Sequence, residues 1–257
     1  MAASAKPLST YTIARGDDSE PLRLVIHNPD LRSENLNLTT WGSSYVLAQA
    51  LHTIHIDRTV FEAAGDIHII ELGAGTGLVG LSASVIWKAN VLLTDLPGIV
   101  PGLALNIAAN KDELVSAGTK AYCATLDWRR PAELVVDPAQ NQVFFTAPSP
   151  RAVPLDHSTT KVPVILVADC IYDPDHPEML IDVILARLLP GDKSWLVIAY
   201  PLRVAYLDAI RDMWERLELS GLESVQTGRA DAGDEFDDES LIEWAVFKWK
   251  KYTTTIN

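Results

Sequence analysis

The stretch IIELGAGTGLVGL, residues 69 to 81, constrains the fold more than any other part of the chain. An apolar strand-like run carrying Glu71 meets Gly73, Gly75 and Gly77, and an apolar helix-like run follows at once. So sharp a strand-to-helix turn sets the amides of a helix N-terminus beside bare glycine. A phosphate or a sugar can approach there because no Cβ blocks it. Such a unit belongs in an open α/β sheet, which takes its ligands at the carboxyl ends of its strands.

The rest of the chain repeats the alternation. LRLVIH (22 to 27) reads as an early strand, and SSYVLAQALHTI (43 to 54) as a helix with Ser43 or Ser44 as N-cap. Strand IHIIEL, helix GLVGLSASVIWKA, strand NVLLTD, helix GIVPGLALNIAANKDEL and strand AYCATLDW follow. Between about 131 and 162, five prolines among Ser and Thr disfavour regular structure, so this segment reads as an insertion. VPVILVAD, EMLIDVILARLL, SWLVIAY and RVAYLDAIRDMWERLEL restore the alternation. A short strand near 222 to 227, the acidic loop RADAGDEFDDES and the strand LIEWAVFKWKK end it, with no helix between the two strands. The expectation is a Rossmann-like α/β fold: seven mostly parallel strands, helices on both faces and a C-terminal antiparallel hairpin. Residues 1–20 are expected as a flexible tail. Residues 21–257 are expected as one domain with an N-terminal strand and helix extension.

Composition narrows the partners. With 48% apolar residues in 257, the chain can bury a full core, and its formal net charge of -13 repels a polyanion. Nucleic acid is therefore a poor expected partner. Two cysteines, Cys123 and Cys170, are too few for a disulfide framework, and no apolar run has the length of a membrane span. A soluble protein of the cytosol, with the nucleus also open to it, is the expectation. No metal is assigned, because His52 and His55 lack a third ligand at suitable spacing.

The glycine turn alone leaves two ligands open. Gly75, Gly77 and Gly80 satisfy G-x-G-x-x-G, and Asp95 lies 20 residues after Gly75, as a dinucleotide site requires. Glu71 speaks against a pyrophosphate on electrostatic grounds. It suits a ligand with an ammonium and a sulfonium, which describes S-adenosylmethionine. Asp95 can receive ribose hydroxyls in either case.

Further motifs carry a resemblance. W-G-x-x-x-x-L-A occurs as Trp41, Gly42, Leu47 and Ala48; LGAGTG contains Gly73, Ala74, Gly75 and Gly77. TDLP carries Asp95 and Leu96, LDW carries Asp127 and Trp128, and VADCIY carries Ala168, Asp169 and Tyr172 in a D-x-x-Y pattern. From TTWGSSYVLAQAL to the final strand, the chain resembles the seven-β-strand protein-lysine methyltransferases of methyltransferase family 16. The resemblance implies S-adenosyl-L-methionine as cofactor and S-adenosyl-L-homocysteine as product. It puts Trp41 and Ala168 against the cofactor, Glu71 and the glycines at its loop, Asp95 and Leu96 at the ribose, and Asp127 and Trp128 at the adenine. Asp169 and Tyr172 then face the acceptor. The implied substrate is a lysine of a non-histone protein, an elongation factor or a chaperone, basic around the target, and the enzyme is expected to be a monomer.

Alternatives remain open at this stage: a small-molecule N-methyltransferase with a nicotinamide-like substrate, and a non-catalytic binding module on the same fold. DNA amino-methylating enzymes place two prolines where this chain has Cys170 and Ile171, which with the acidic charge weakens that comparison. The run 231 to 240 could attract a basic substrate over a distance, although such a run also serves as a solvated loop.

Overall fold

The computed structural model describes residues 8–16, 19–29, 31–33, 36–62, 64–143, 160–233, 236 and 241–251. Strands β1 (Ser9–Ile13) and β2 (Leu22–Ile26) pair antiparallel, and β3 (Arg32–Ser33) with β4 (Leu36–Asn37) forms a second small pair. Helices α1 (Gly42–Ala50) and α2 (Thr59–Glu62) lead into the alternation of β5 (Ile69–Leu72), α3 (Leu78–Trp87), β6 (Val91–Asp95), α4 (Val100–Ala109), α5 (Lys111–Ala117) and β7 (Ala121–Leu126). Then come β8 (Leu134–Val135), β9 (Val164–Ala168), α6 (His176–Arg187), β10 (Trp195–Pro201), α7 (Leu207–Leu219), β11 (Leu222–Asp231) and β12 (Leu241–Trp249).

Among the described residues the central sheet has eight strands in the order β11-β12-β10-β9-β5-β6-β7-β8. Strands β7, β6, β5, β9 and β10 run parallel; β12 is antiparallel to both β10 and β11. The expected seven strands are all present, and the eighth, β8, is a two-residue antiparallel addition at the β7 edge. The inner strands are buried on both faces, which is why they read as continuous apolar runs. One apolar layer joins the sheet to α1, α3, α4 and the β1-β2 pair, and the other joins it to α6 and α7.

Three expectations need correction. The early strand β2 does not enter the main sheet: its partner is β1, drawn from the segment expected as tail, and Ile13 of β1 is fully buried. Helix α4 supplies the reason. Asn110 accepts from the Val25 amide (2.8 Å) and donates to the Val25 carbonyl (2.8 Å), while Asn106 does the same for His27 at 2.7 and 3.2 Å. Two side-chain amides thus stand in for a neighbouring strand and satisfy backbone groups that burial would otherwise leave costly. Helix α1 begins at Gly42 after Trp41, with no side-chain cap from Ser43 or Ser44.

The third correction concerns the closing hairpin. Strand β11 runs on to Asp231, four residues beyond the expected end at 227. Trp244 lies flat over Gly228, where a Cβ would overlap the indole, and Arg229 binds the Glu243 carboxylate across the pair at 2.5 Å. In the expected insertion, β8 and a 3-10 turn (Pro138–Asn141) are regular; Asn141 bonds both backbone groups of Cys123 and so covers the β7 edge. Residues 144–159 of that insertion, and most of the acidic run 231–240, lie outside the described residues.

Candidate active site

A cleft opens at the carboxyl ends of β5, β6, β7 and β9, and encloses about 1010 Å³ counting its open mouth. Of the thirteen residues singled out from sequence, eleven line it: Trp41, Gly73, Ala74, Gly75, Asp95, Leu96, Asp127, Trp128, Ala168, Asp169 and Tyr172. Glu71 and Gly77 do not.

Both are buried. Glu71 is 1% exposed, and its Oε2 accepts from the Gly80 amide at 2.9 Å, tying β5 to the first turn of α3. Burial pushes its carboxyl up to about 8 against the help of that amide, with the Asp95 charge adding to the rise. A carboxyl in this setting is largely protonated at neutral pH and has no view of the ligand. The electrostatic discrimination expected of Glu71 is therefore not available to it. Gly77 has φ +81° and starts α3, and a Cβ there would press on Leu93 and Leu103 rather than on a ligand. Gly75 is different: φ is +53° and a Cβ would meet nothing nearer than the Thr39 carbonyl at 3.9 Å, so its bare backbone faces the cleft.

Asp95, at the end of β6, fixes the loop from above. Its Oδ2 accepts from the Gly75 amide (2.8 Å) and its Oδ1 from the Leu96 amide (2.7 Å). A carboxylate has further lone pairs for a vicinal diol. Asp127, beyond β7, is gripped by Arg129 through two bonds of 2.8 and 3.0 Å, which with the Arg129 amide holds its carboxyl below the usual range. Trp128 packs directly under Gly73 beside the Cys170 thiol; a Cβ on Gly73 would come within 2.9 Å of both. Leu96, Ile99, Leu126, Trp128 and Met179 form an apolar wall of a kind that suits an aromatic base.

The cleft is also lined by Asp169, Tyr172 and Trp41. Asp169 follows β9 in a left-handed conformation (φ +59°), with its amide bonded to the Ala199 carbonyl at 2.9 Å. It is seven residues ahead of the first residue of α6, which Asp175 precedes as N-cap, so Asp169 caps no helix. Burial raises its carboxyl, and the Arg203 guanidinium and Ser43 oppose the rise. Arg203 Nη1 lies 3.4 Å from Oδ1. The Tyr172 ring meets His176 edge-on at 4.3 Å, and His176 meets Trp128 the same way at 5.5 Å. The His176 Nδ1 sits 2.8 Å from the Cys170 carbonyl, which requires Nδ1 to carry the proton. The three rings therefore form one continuous row in the cleft lining.

Sequence reading missed Arg203 and His176. The rule that strand carboxyl ends face the crevice would have pointed to Arg203, which stands two residues beyond β10, the neighbour of β9. His176 is the first residue of α6 and gave no periodic signal.

Among the described residues the lining carries three carboxylates, Asp95, Asp127 and Asp169, and one guanidinium, that of Arg129, which Asp127 engages. A pyrophosphate meets no lysine among the described lining residues, whereas a ligand of net positive charge meets a favourable field. The strand order, with β12 inserted antiparallel between β10 and β11, also departs from an all-parallel dinucleotide sheet. The residues fit S-adenosylmethionine: an apolar slot for the base, Asp95 for the diol, and bare backbone at Gly75 for the amino-acid end. Among the described residues no three His, Cys, Asp or Glu converge on a metal position, and no helix is long and apolar enough to cross a membrane.

Comparison with known proteins agrees with this geometry. The fold matches solved methyltransferases, among them the magnesium protoporphyrin IX methyltransferase of Synechocystis, solved with bound S-adenosylmethionine (TM-score 0.50, 13% identity, 81% of this chain and 80% of that one). Residues 19–145 match the model of the lysine methyltransferase family. Over 227 residues it is 31% identical to the protein-lysine N-methyltransferase EFM2 of Saccharomyces cerevisiae, covering 83% of this chain and 48% of EFM2. It is 28% identical over 232 residues to the protein-lysine N-methyltransferase rrg1 of Schizosaccharomyces pombe, covering 90% and 68%. The chain thus spans about half the length of the first relative and two thirds of the second.

Proposed function

We propose that this protein transfers a methyl group from S-adenosylmethionine to a lysine side chain of another, non-histone protein. The observation that carries the reading is the joint lining of one cleft by bare glycine backbone, Asp95, Trp41, Asp169 and Tyr172, in a chain whose residues 19–145 match the lysine methyltransferase family. Bound there, S-adenosylmethionine supplies an electrophilic methyl on a sulfonium. The side chains do the rest. Asp95 holds the ribose hydroxyls, the Gly75 backbone admits the amino-acid end, and the wall around Leu96 and Trp128 takes the base and excludes water. Trp41 lies against the cofactor, Tyr172 walls the acceptor, and Asp169 orients its amine in line with the methyl.

A lysine amine must lose its proton first, which at pH 7 costs about 4 to 5 kcal/mol. A desolvated site beside positive charge lowers that cost, and the proton leaves to solvent before transfer. The lysine side chain's length suits a cleft open to the surface at the half-exposed Trp41. An elongation factor or chaperone with a basic target segment, met in the cytosol or nucleus by a monomeric enzyme, completes the reading. The negative charge of the chain and its buried free thiols support it.

The test is methyl transfer from radioactive S-adenosylmethionine into a cell lysate by the purified protein and its Asp169→Ala and Asp95→Ala variants. A discrete labelled protein carrying methyl-lysine is expected, lost at least tenfold in both variants, with cofactor affinity lost only in Asp95→Ala. Label confined to small molecules would overturn protein lysine in favour of a small-molecule amine, and failure of the wild type to bind the cofactor would overturn methyl transfer altogether.

A further inference from the structure

Asp169 presents a chemical conflict if it is left alone. A carboxylate that touches the acceptor amine favours its ammonium form, and an ammonium has no lone pair with which to attack a methyl group. The side chain of Asp169 is 5% exposed, so its charge acts through little water. Bound by an unopposed Asp169, the acceptor would be held well and methylated poorly.

The structure supplies the opposing charge. Arg203 leaves the sheet two residues after β10, and its guanidinium reaches Asp169 Oδ1 at 3.4 Å while its own side chain is only 16% exposed. The Tyr206 ring lies 5.9 Å from the guanidinium carbon and steadies it from another side. On the α1 side, Ser43 is fully buried and faces the same carboxylate. Asp95 and Glu71 are the other acids in the neighbourhood, both felt at Cys170 between them and Asp169, and Glu71 is largely neutral. Arg203 is thus the fixed cation in contact with the acid of the acceptor end.

We propose that Arg203 is a specificity-determining residue of the acceptor site: it cancels the charge of Asp169, so that Asp169 orients an amine by accepting its N–H without holding it as an ammonium. The site then favours the neutral, nucleophilic form of the lysine amine. This rests on the methyl-transfer reading above. In the transfer itself the nitrogen lone pair forms the N–C bond, the C–S pair returns to sulfur, and the proton has already gone to solvent. Arg203 neither gives nor takes a proton; it acts as a permanent charge.

Binding tests this without any protein substrate. Sinefungin carries a protonated amine where S-adenosylmethionine carries its transferable methyl, and S-adenosylhomocysteine carries nothing there. The ratio of their dissociation constants, measured by calorimetry at pH 7.5, reports whether the acceptor end favours a cation. In Arg203→Gln and in the apolar Arg203→Met, Asp169 is uncompensated, and sinefungin should tighten about tenfold relative to S-adenosylhomocysteine. Adding Asp169→Asn should abolish that gain, and Arg203→Lys should keep the wild-type ratio. Arg216→Gln, an equal charge change on the exposed face of α7, should also leave it unchanged. S-adenosylhomocysteine affinity, expected to hold within twofold across the series, shows that each variant is folded. A ratio unmoved in both neutral Arg203 variants, or a gain that survives Asp169→Asn, overturns the proposal. A wild type that binds neither ligand instead overturns the functional reading on which it rests.

Discussion

Glu71 shows how a residue in a ligand motif can serve the loop rather than the ligand. Its carboxyl is buried under Gly75 and accepts from Gly80, where even one added methyl would come within 2.6 Å of Oε2 and 2.3 Å of Leu93. The folded protein binds a proton on Glu71 up to about 8, whereas the unfolded chain releases it near 4.5. Because the folded value is the higher one, this group's contribution is fully present below the unfolded value and is lost as pH rises through the folded one. Glu71→Gln keeps an oxygen for the Gly80 amide and has no proton to lose. Denaturant unfolding at pH 5.5, 7 and 8.5 should show the variant gaining on the wild type with each step, by a few kcal/mol in total. Parallel curves would mean that Glu71 remains ionised in the folded state.

At the scale of elements, the N-terminal pair is the part whose role the structure changes most. Asn106 of α4 bonds the amide and carbonyl of His27 and also donates to the Thr76 carbonyl at 2.9 Å, so one side chain joins β2 to the turn that carries Gly75 and Gly77. Thr40 reaches the same turn through a 2.9 Å bond to the Thr76 hydroxyl. Asn106→Ala removes the partner of three backbone groups, one buried and two part-buried, and should cost about 2 kcal/mol. It should also speed hydrogen exchange at His27 and weaken S-adenosylhomocysteine binding several-fold. Stability lost with affinity intact would reduce the β1-β2 pair to a structural cover.

What the sequence made legible follows from what carries periodic or motif signal. The buried parallel strands appear as VILVA and VLLT because both faces need apolar side chains, and the glycine turn is visible because three alternating glycines, all at positive φ, are what a left-handed turn with exposed backbone favours. The Asn106–β2 ladder and the Arg203–Asp169 pair were illegible because their partners lie 79 and 34 residues apart, and a buried asparagine or arginine looks like a surface one in a single sequence. The end of β11 was misplaced for a related reason: Arg229, Ala230 and Asp231 look like the start of a polar loop, yet pairing with β12 holds them in the sheet.

For the molecule as a whole, charge is the property that local contacts do not exhaust. The chain carries -13 overall, and Asp95 and Asp127 both line the cleft, the second paired with Arg129. S-adenosylmethionine enters with a net charge of about +1 at neutral pH, from an ammonium, a sulfonium and a carboxylate, and leaves as neutral S-adenosylhomocysteine. A negative field attracts the first and is indifferent to the second, so on the proposed function it favours replacement of product by cofactor. Salt shortens the reach of that field, from a Debye length of about 14 Å at 50 mM to about 4 Å at 500 mM. Over that range the dissociation constant of S-adenosylmethionine should rise about threefold and that of S-adenosylhomocysteine should stay nearly constant, as calorimetry at the two salt concentrations can measure. A basic protein substrate, carrying more charge over a larger surface, should show a steeper rise in KM than either. Equal salt dependence for cofactor and product would assign the discrimination to contacts at the sulfur alone and remove the long-range field from the account.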